Sequence, residues 1–179
     1  LAMSFMLIII LILTLNPVYL KSQEMKTLLF SDPLFTFEKG PARGIHLFIK
    51  DGDYQKAIEF IRDNVEEDEK IFVGTTRHDM LVINDILFYF LSGRHSATKY
   101  HELHPGHATT IEIQHRIIDE IEILGVDHIV LVDFDFRGLN EKIKDSDVHI
   151  LDNFIKDNFV IDVRYGNYSI WRRTTHISM

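Results

Sequence analysis

The chain carries 179 residues, 46% of them hydrophobic, with a formal net charge of -8 and no cysteine. That is enough apolar material for one globular domain with a real core, and the acidic balance argues against a nucleic-acid partner, which calls for a basic surface. The lack of cysteine excludes a disulfide framework and a thiolate metal site.

In chain order, Leu1–Leu15 (LAMSFMLIIILILTL) is apolar and uncharged. At 1.5 Å per residue it covers only ~22 Å of a hydrocarbon core about 30 Å thick. No basic stretch precedes it and no small-residue cleavage site follows it, unlike a signal peptide. It is apolar all round, unlike a surface helix. The chain opens on Leu1 rather than Met, so the expectation is that residues 1–20 are the last part of a truncated transmembrane helix. Asn16-Pro17 ends that helix, with Tyr19 and Lys21 at the interface. Residues 21–44, punctuated by Pro33, Gly40, Pro41 and Gly44, read as a linker carrying a few aromatics.

Residues 45–179 alternate between helix and strand patterns. Asp53 caps a helix with Tyr54, Ala57, Ile58, Ile61 and Val65 facing in. Lys70–Gly74 reads as a short buried strand. Leu81–Leu91 reads as a helix whose Ile83, Ile86, Leu87, Phe90 and Leu91 face in, closed by Ser92-Gly93. Ala97–His101 reads as a strand. Thr109 or Thr110 starts a helix with Ile113, Ile117, Ile121 and Leu124 inward. His128–Asp133 is a strand, and Asp147 caps a helix through Phe154 and Ile155. Phe159–Arg164 and Asn167–Arg173 form a hairpin about Gly166-Asn167. The pattern predicts an α/β fold: a small, mostly parallel sheet with helices on both faces and a C-terminal antiparallel hairpin.

The densest polar stretch is Thr76–Thr110. Arg77, Asp79, Asn84, Asp85, Arg94, Tyr100, His101, Glu102 and His104 lie there, and polar groups so crowded are either solvated or converge on something. Two readings stay open: these side chains line one binding or contact surface at strand ends, where clefts form in parallel sheets, or Arg77 and Arg94 neutralise Asp79 and Asp85 in a structural cap. His101, His104 and His107 recur at spacing three. The zinc-protease motif needs two histidines four apart on a helix, and Pro105-Gly106 forbids a helix there. This leaves a polar turn, with a loop metal site as the alternative. Asp133, Asp135 and Arg137 follow a strand with no glycine-rich phosphate loop beside them. No nucleophile elbow occurs. No catalytic residue, metal ligand or cofactor is assigned.

The run IFVGTTRHDMLVINDILFYFLSGRHSATKYHELHPGHATT, the segment DYQKAIEFIRDN and the tail segments LDNFIKDNF and YGNYSIWRR resemble the C-terminal region of large bacterial and archaeal polytopic membrane proteins. These are glycosyltransferases of the dolichyl-phosphate-mannose-dependent protein mannosyltransferase type, and the run is also similar to the transferases that add aminoarabinose to lipid A. The resemblance implies an enzyme that moves a sugar from a polyprenyl-phosphate donor to an acceptor on the outer face of the cell membrane. Its catalytic carboxylate would lie in an N-terminal loop outside this chain. Residues 45–179 would then be a non-catalytic extracytoplasmic domain, partnered by the missing transmembrane region, the membrane and a polyprenyl-phosphate sugar. Arg77, Asn84, Asp85, Arg94, Tyr100 and Glu102 match the family's recurrent polar positions. The alternative is a membrane-anchored binding or interaction module without enzymatic activity.

Overall fold

The computed structural model describes residues 35–38, 40–47, 52–80, 82–103, 109–134 and 146–174, together with Lys21. The expected membrane segment at residues 1–20, most of the linker before Phe35, and His104–His107, Asp135 and Arg137 lie outside the described residues. The chain divides into two compact units, Leu1–Leu34 and Phe35–Met179, and the central sheet with its covering helices belongs to the second. Among the described residues, no helix is long and apolar enough to cross a membrane.

In chain order the elements are β1 (Phe35–Thr36), β2 (His46–Leu47), α1 (Gly52–Asn64), β3 (Lys70–Thr75), β4 (Val82–Ile83), α2 (Ile86–Ser92), β5 (His95–Ser96) and β6 (Glu102–Leu103). Then come α3 (Ile111–Ile123), β7 (His128–Val132), α4 (Ile150–Asn158), β8 (Phe159–Tyr165) and β9 (Tyr168–Arg173). Five strands form the central sheet in the order β5-β3-β7-β9-β8, and β1-β2 and β4-β6 form two small ribbons.

The expectation of a mostly parallel sheet needs correction. β3 pairs in parallel with β5 and β7, but β9 is antiparallel to both β7 and β8, so the sheet is mixed. The expected C-terminal antiparallel hairpin is present at the sheet edge. Its second strand returns against β7 and contributes two antiparallel ladders. Gly166, at φ 52, supplies the left-handed residue that lets Tyr165 and Tyr168 close this two-residue turn.

Helices cover both faces. Strand side chains alternate in direction, so Ile71 and Val73 join Ala57, Ile58 and Ile61 of α1 and Phe88 and Leu91 of α2 in one core. Phe72, Ile129 and Leu131 point the other way and join Ile117 and Ile121 of α3 and Leu151 and Ile155 of α4. Each Val, Leu, Ile or Phe among them contributes roughly 1.5–3 kcal/mol on full burial, so the two layers together hold the sheet.

Several local readings change: Asp53, expected as a cap, lies inside the first turn of α1, and Leu124, expected inward, is exposed after the end of α3. The helix expected over Leu81–Leu91 begins only at Ile86, because Val82–Ile83 pair with Glu102–Leu103. Asp85 takes the cap position and accepts from Phe88 N. The shorter helix turns Phe88, Tyr89 and Leu91 inward and leaves Ile86, Leu87 and Phe90 about half exposed. Tyr89 anchors this orientation by accepting the β3 backbone N–H of Val73 at 2.8 Å. The strand expected over Ala97–His101 is replaced by the two-residue strands on either side of it. Finally, His149 rather than Asp147 occupies the cap position of α4, and Asp147 sits in the left-handed region at φ 56.

Candidate functional site

The chain leaves β3 toward α2 on one face of the sheet and leaves β7 toward α4 on the other. The C-terminal ends of these two adjacent parallel strands therefore form the switch point at which clefts open in α/β folds. Thr76 bridges the two ends. Its N–H bonds Val132 O at 3.1 Å and its hydroxyl lies 3.3 Å from Asp133 Oδ1. Thr75 Oγ1 donates to Arg77 O at 2.7 Å, which tightens the turn and places Arg77, His78 and Asp79 over the strand ends.

His78 points inward and is completely buried. Its Nδ1 lies 2.6 Å from Asp152 Oδ1, and its backbone N–H also donates to that oxygen, at 3.2 Å. The ring packs on Phe72 with centroids 5.7 Å apart. Nε2 has no hydrogen-bond partner and faces Gly74, where a Cβ would come within 2.6 Å of it. Only glycine leaves room for the ring at this point.

Gln114, on the buried face of α3, fastens the loop to α4. Its amide nitrogen donates to His78 O at 3.0 Å and Val148 O at 2.8 Å, and its carbonyl accepts Leu151 N at 2.9 Å. A buried amide is tolerated because its polar atoms are used. Ser146 N adds a bond to Asp79 O at 2.9 Å.

Asp79 is buried and grips the half-exposed Arg77 through both oxygens. Arg77 Nε lies 2.9 Å from Oδ1, and Arg77 Nη2 meets Oδ2. His149 sits above both carboxylates with its Nδ1 3.3 Å from Asp152 Oδ2 and 3.9 Å from Asp79 Oδ1, while its Nε2 is 3.5 Å from Asp147 Oδ1. Burial pushes the Asp152 carboxyl up, but the hydrogen bond and charge of His78 and the hydrogen bond from His149 outweigh it and hold the group below the usual carboxylate range.

A general base must reach the proton it removes. His78 cannot, because its outer nitrogen is closed against Gly74. The Asp152–His78 pair is therefore a structural clasp, although its chemistry resembles that of a catalytic dyad. The accessible end of the cluster is His149 with Asp79 and Asp152, whose ligand atoms all lie within 4.8 Å of one another.

The structure distributes the remaining sequence candidates elsewhere. Asn84 is buried, its N–H bonded to His101 O at 3.0 Å and its amide nitrogen 3.5 Å from Tyr100 O. Asp85 caps α2 and bonds the buried Tyr54, and burial raises the acid of Asp85 and the phenol of Tyr54. Tyr100 reaches Arg116 and lies under the Lys99 ammonium. His101 packs edge-on against Tyr89, with centroids 5.7 Å apart. Glu102 lies in β6, its side chain outside the described residues, as is the whole of His104.

Arg94 is the clearest separation from the expected common cleft. Lys70 pairs with His95, so Arg94 flanks the start of β3 whereas Arg77 follows its end. Six residues of strand put these positions ~20 Å apart along the chain. There Arg94 donates to the carbonyls of Arg62, Val65, Ser92 and Gly93. Arg94 and His101 also line a surface cleft of about 500 Å³ with Pro41, Ile86, Tyr89 and Phe90.

His78, Gln114, His149 and Asp152 were not among the residues expected at a site. Comparison with family models, with curated proteins and with solved structures returns no match for this chain.

Proposed function

We propose that this chain is the non-catalytic, extracytoplasmic C-terminal module of an integral membrane glycosyltransferase that moves a sugar from a polyprenyl-phosphate donor to an extracytoplasmic acceptor. The sequence resemblance supplies the class. The observation that favours a non-catalytic role is how the resembling polar positions are used. Arg94 directs Nη1 and Nη2 at four main-chain carbonyls. Asp85 serves as a helix cap, Asn84 ties two backbone segments together, and Arg77 binds Asp79. Side chains of this kind hold a fold in shape, and the transfer step would fall to the membrane-embedded remainder of the enzyme.

The coding DNA upstream of Leu1 tests this. The expected result is a continuous reading frame with several further apolar helices and an acidic residue in the first extracytoplasmic loop. A start codon immediately before Leu1 would overturn the reading.

A membrane-anchored binding module is the second reading. It draws on the half-exposed Ile86 and Phe90 beside the 500 Å³ cleft, an apolar lining of the kind that takes ligands. Calorimetry of the full chain against a polyprenyl-phosphate sugar separates the two: saturable binding supports this second reading if no transmembrane region is encoded upstream.

A further inference from the structure

We infer that Asp79, His149 and Asp152 form a binding site for one zinc-class divalent cation at the strand-end crevice. The inference goes beyond the glycosyltransferase reading and does not depend on it.

Each ligand is held in a set direction. Asp152 gives Oδ1 to His78 and turns Oδ2 toward His149. Asp79 accepts from Arg77 through both oxygens, Nη2 on Oδ2 and Nε on Oδ1 at 2.9 Å, and Oδ1 also lies on the His149 side, 3.9 Å from Nδ1. His78 and Arg77 thus occupy the outer-shell positions that orient metal-binding carboxylates. Gln114, bonded to His78 O and to the first turn of α4, fixes the two halves of the site together.

The ligand spacing also fits a small ion. Two ligands each about 2.0–2.1 Å from a tetrahedral ion lie about 3.4 Å apart. The His149 Nδ1 separations of 3.3 and 3.9 Å bracket that value, so a small rotation of the half-exposed imidazole completes the three-ligand set. Its exposed side leaves a fourth position open to solvent.

Two carboxylates are buried here, Asp79 and Asp152, beside one guanidinium, that of Arg77, while Asp147 is fully exposed to solvent. Buried charges are paired or coordinate metals, and both carboxylates still turn an oxygen toward the His149 imidazole. One imidazole with two carboxylates suits zinc better than magnesium, which prefers oxygen ligands and retains its waters.

The test is calorimetric titration of the chelator-stripped full chain with zinc sulfate and with magnesium chloride. The expected result is one zinc per chain, no magnesium heat, and at least tenfold weaker zinc binding in His149→Ala, with His104→Ala unchanged. X-ray absorption on the zinc-loaded wild type gives a readout independent of that variant's folding, with one imidazole and carboxylate oxygens expected in the shell. Absence of zinc binding, affinity unchanged in His149→Ala, loss of binding in His104→Ala instead, or a shell of several imidazoles would each overturn the inference.

Discussion

Gly74→Ala probes the buried clasp more sharply than any change to its polar members, because it adds one methyl group and removes nothing. The new Cβ would lie 2.6 Å from His78 Nε2 and 2.7 Å from Phe72 Cε1. Unstrained carbon contacts lie at about 3.5–4.0 Å, so the neighbours must retreat by about 1 Å. Phe72 is fully buried in the second core, and His78 cannot recoil without stretching its 2.6 Å contact to Asp152. Overpacking costs roughly 1–3 kcal/mol, and weakening a hydrogen bond to a buried charge adds roughly 1.5–3 kcal/mol when complete. About 3 kcal/mol is expected, equivalent to a melting temperature lower by roughly 6–12 °C in a chain of this size. Urea unfolding followed by far-ultraviolet circular dichroism measures it. Gly52→Ala is the control, since a Cβ there meets nothing within 4 Å. A Gly74→Ala midpoint within about 0.5 kcal/mol of wild type, the range of ordinary surface changes, would refute the packing argument.

Asp152→Asn is expected to cost about 3–5 kcal/mol at neutral pH, as for a buried ion pair deprived of one partner. Because its folded pKa is lowered, the Asp152 contribution is complete above ~pH 4 and lost as pH falls through the folded value. The difference from wild type should therefore shrink in acid, and a pH-independent difference would contradict this. Asp85 runs the opposite way. Burial raises its folded pKa, so its contribution is complete below ~pH 4 and fades as pH rises through the folded value. Asp85→Asn keeps an acceptor for Phe88 N and should raise the urea midpoint at pH 7 but not at pH 3; a lower midpoint at pH 7 would be the contrary result. Arg94→Met should destabilise by about 3 kcal/mol through its abandoned carbonyls, and Arg94→Lys should recover little, since an ammonium lacks the planar fork. Equal stability of Arg94→Lys and wild type by urea titration would count against the strut.

The sequence reads best where a single element decides its own form. The inward stripe Tyr54, Ala57, Ile58, Ile61, the apolar run of β7 and the Gly166-Asn167 turn carry their structure in their spacing. α2 does not. Its seven residues are too few to fix a face by period alone, and the bond from Val73 to Tyr89 and the β4–β6 pairing settle the orientation. The site was legible only in part. That Arg77 and Asp79 follow a strand could be read locally, and the structure joins them. His78 and Asp152 are 74 residues apart and meet only because α3 and α4 cover the same sheet face. Asp152 by itself reads as one more acid on an amphipathic helix. Arg94 misleads in the reverse sense, close in sequence to Asn84 and Asp85 but held at the other end of β3.

The most direct measurement of the proposed role is a transfer assay with the full chain in detergent micelles and a polyprenyl-phosphate sugar labelled in its sugar. The label should stay on the lipid at the no-protein rate, with or without added zinc. Release of sugar by the wild-type chain that disappears in Asp79→Asn would contradict the proposal and place the chemistry in the strand-end cluster itself.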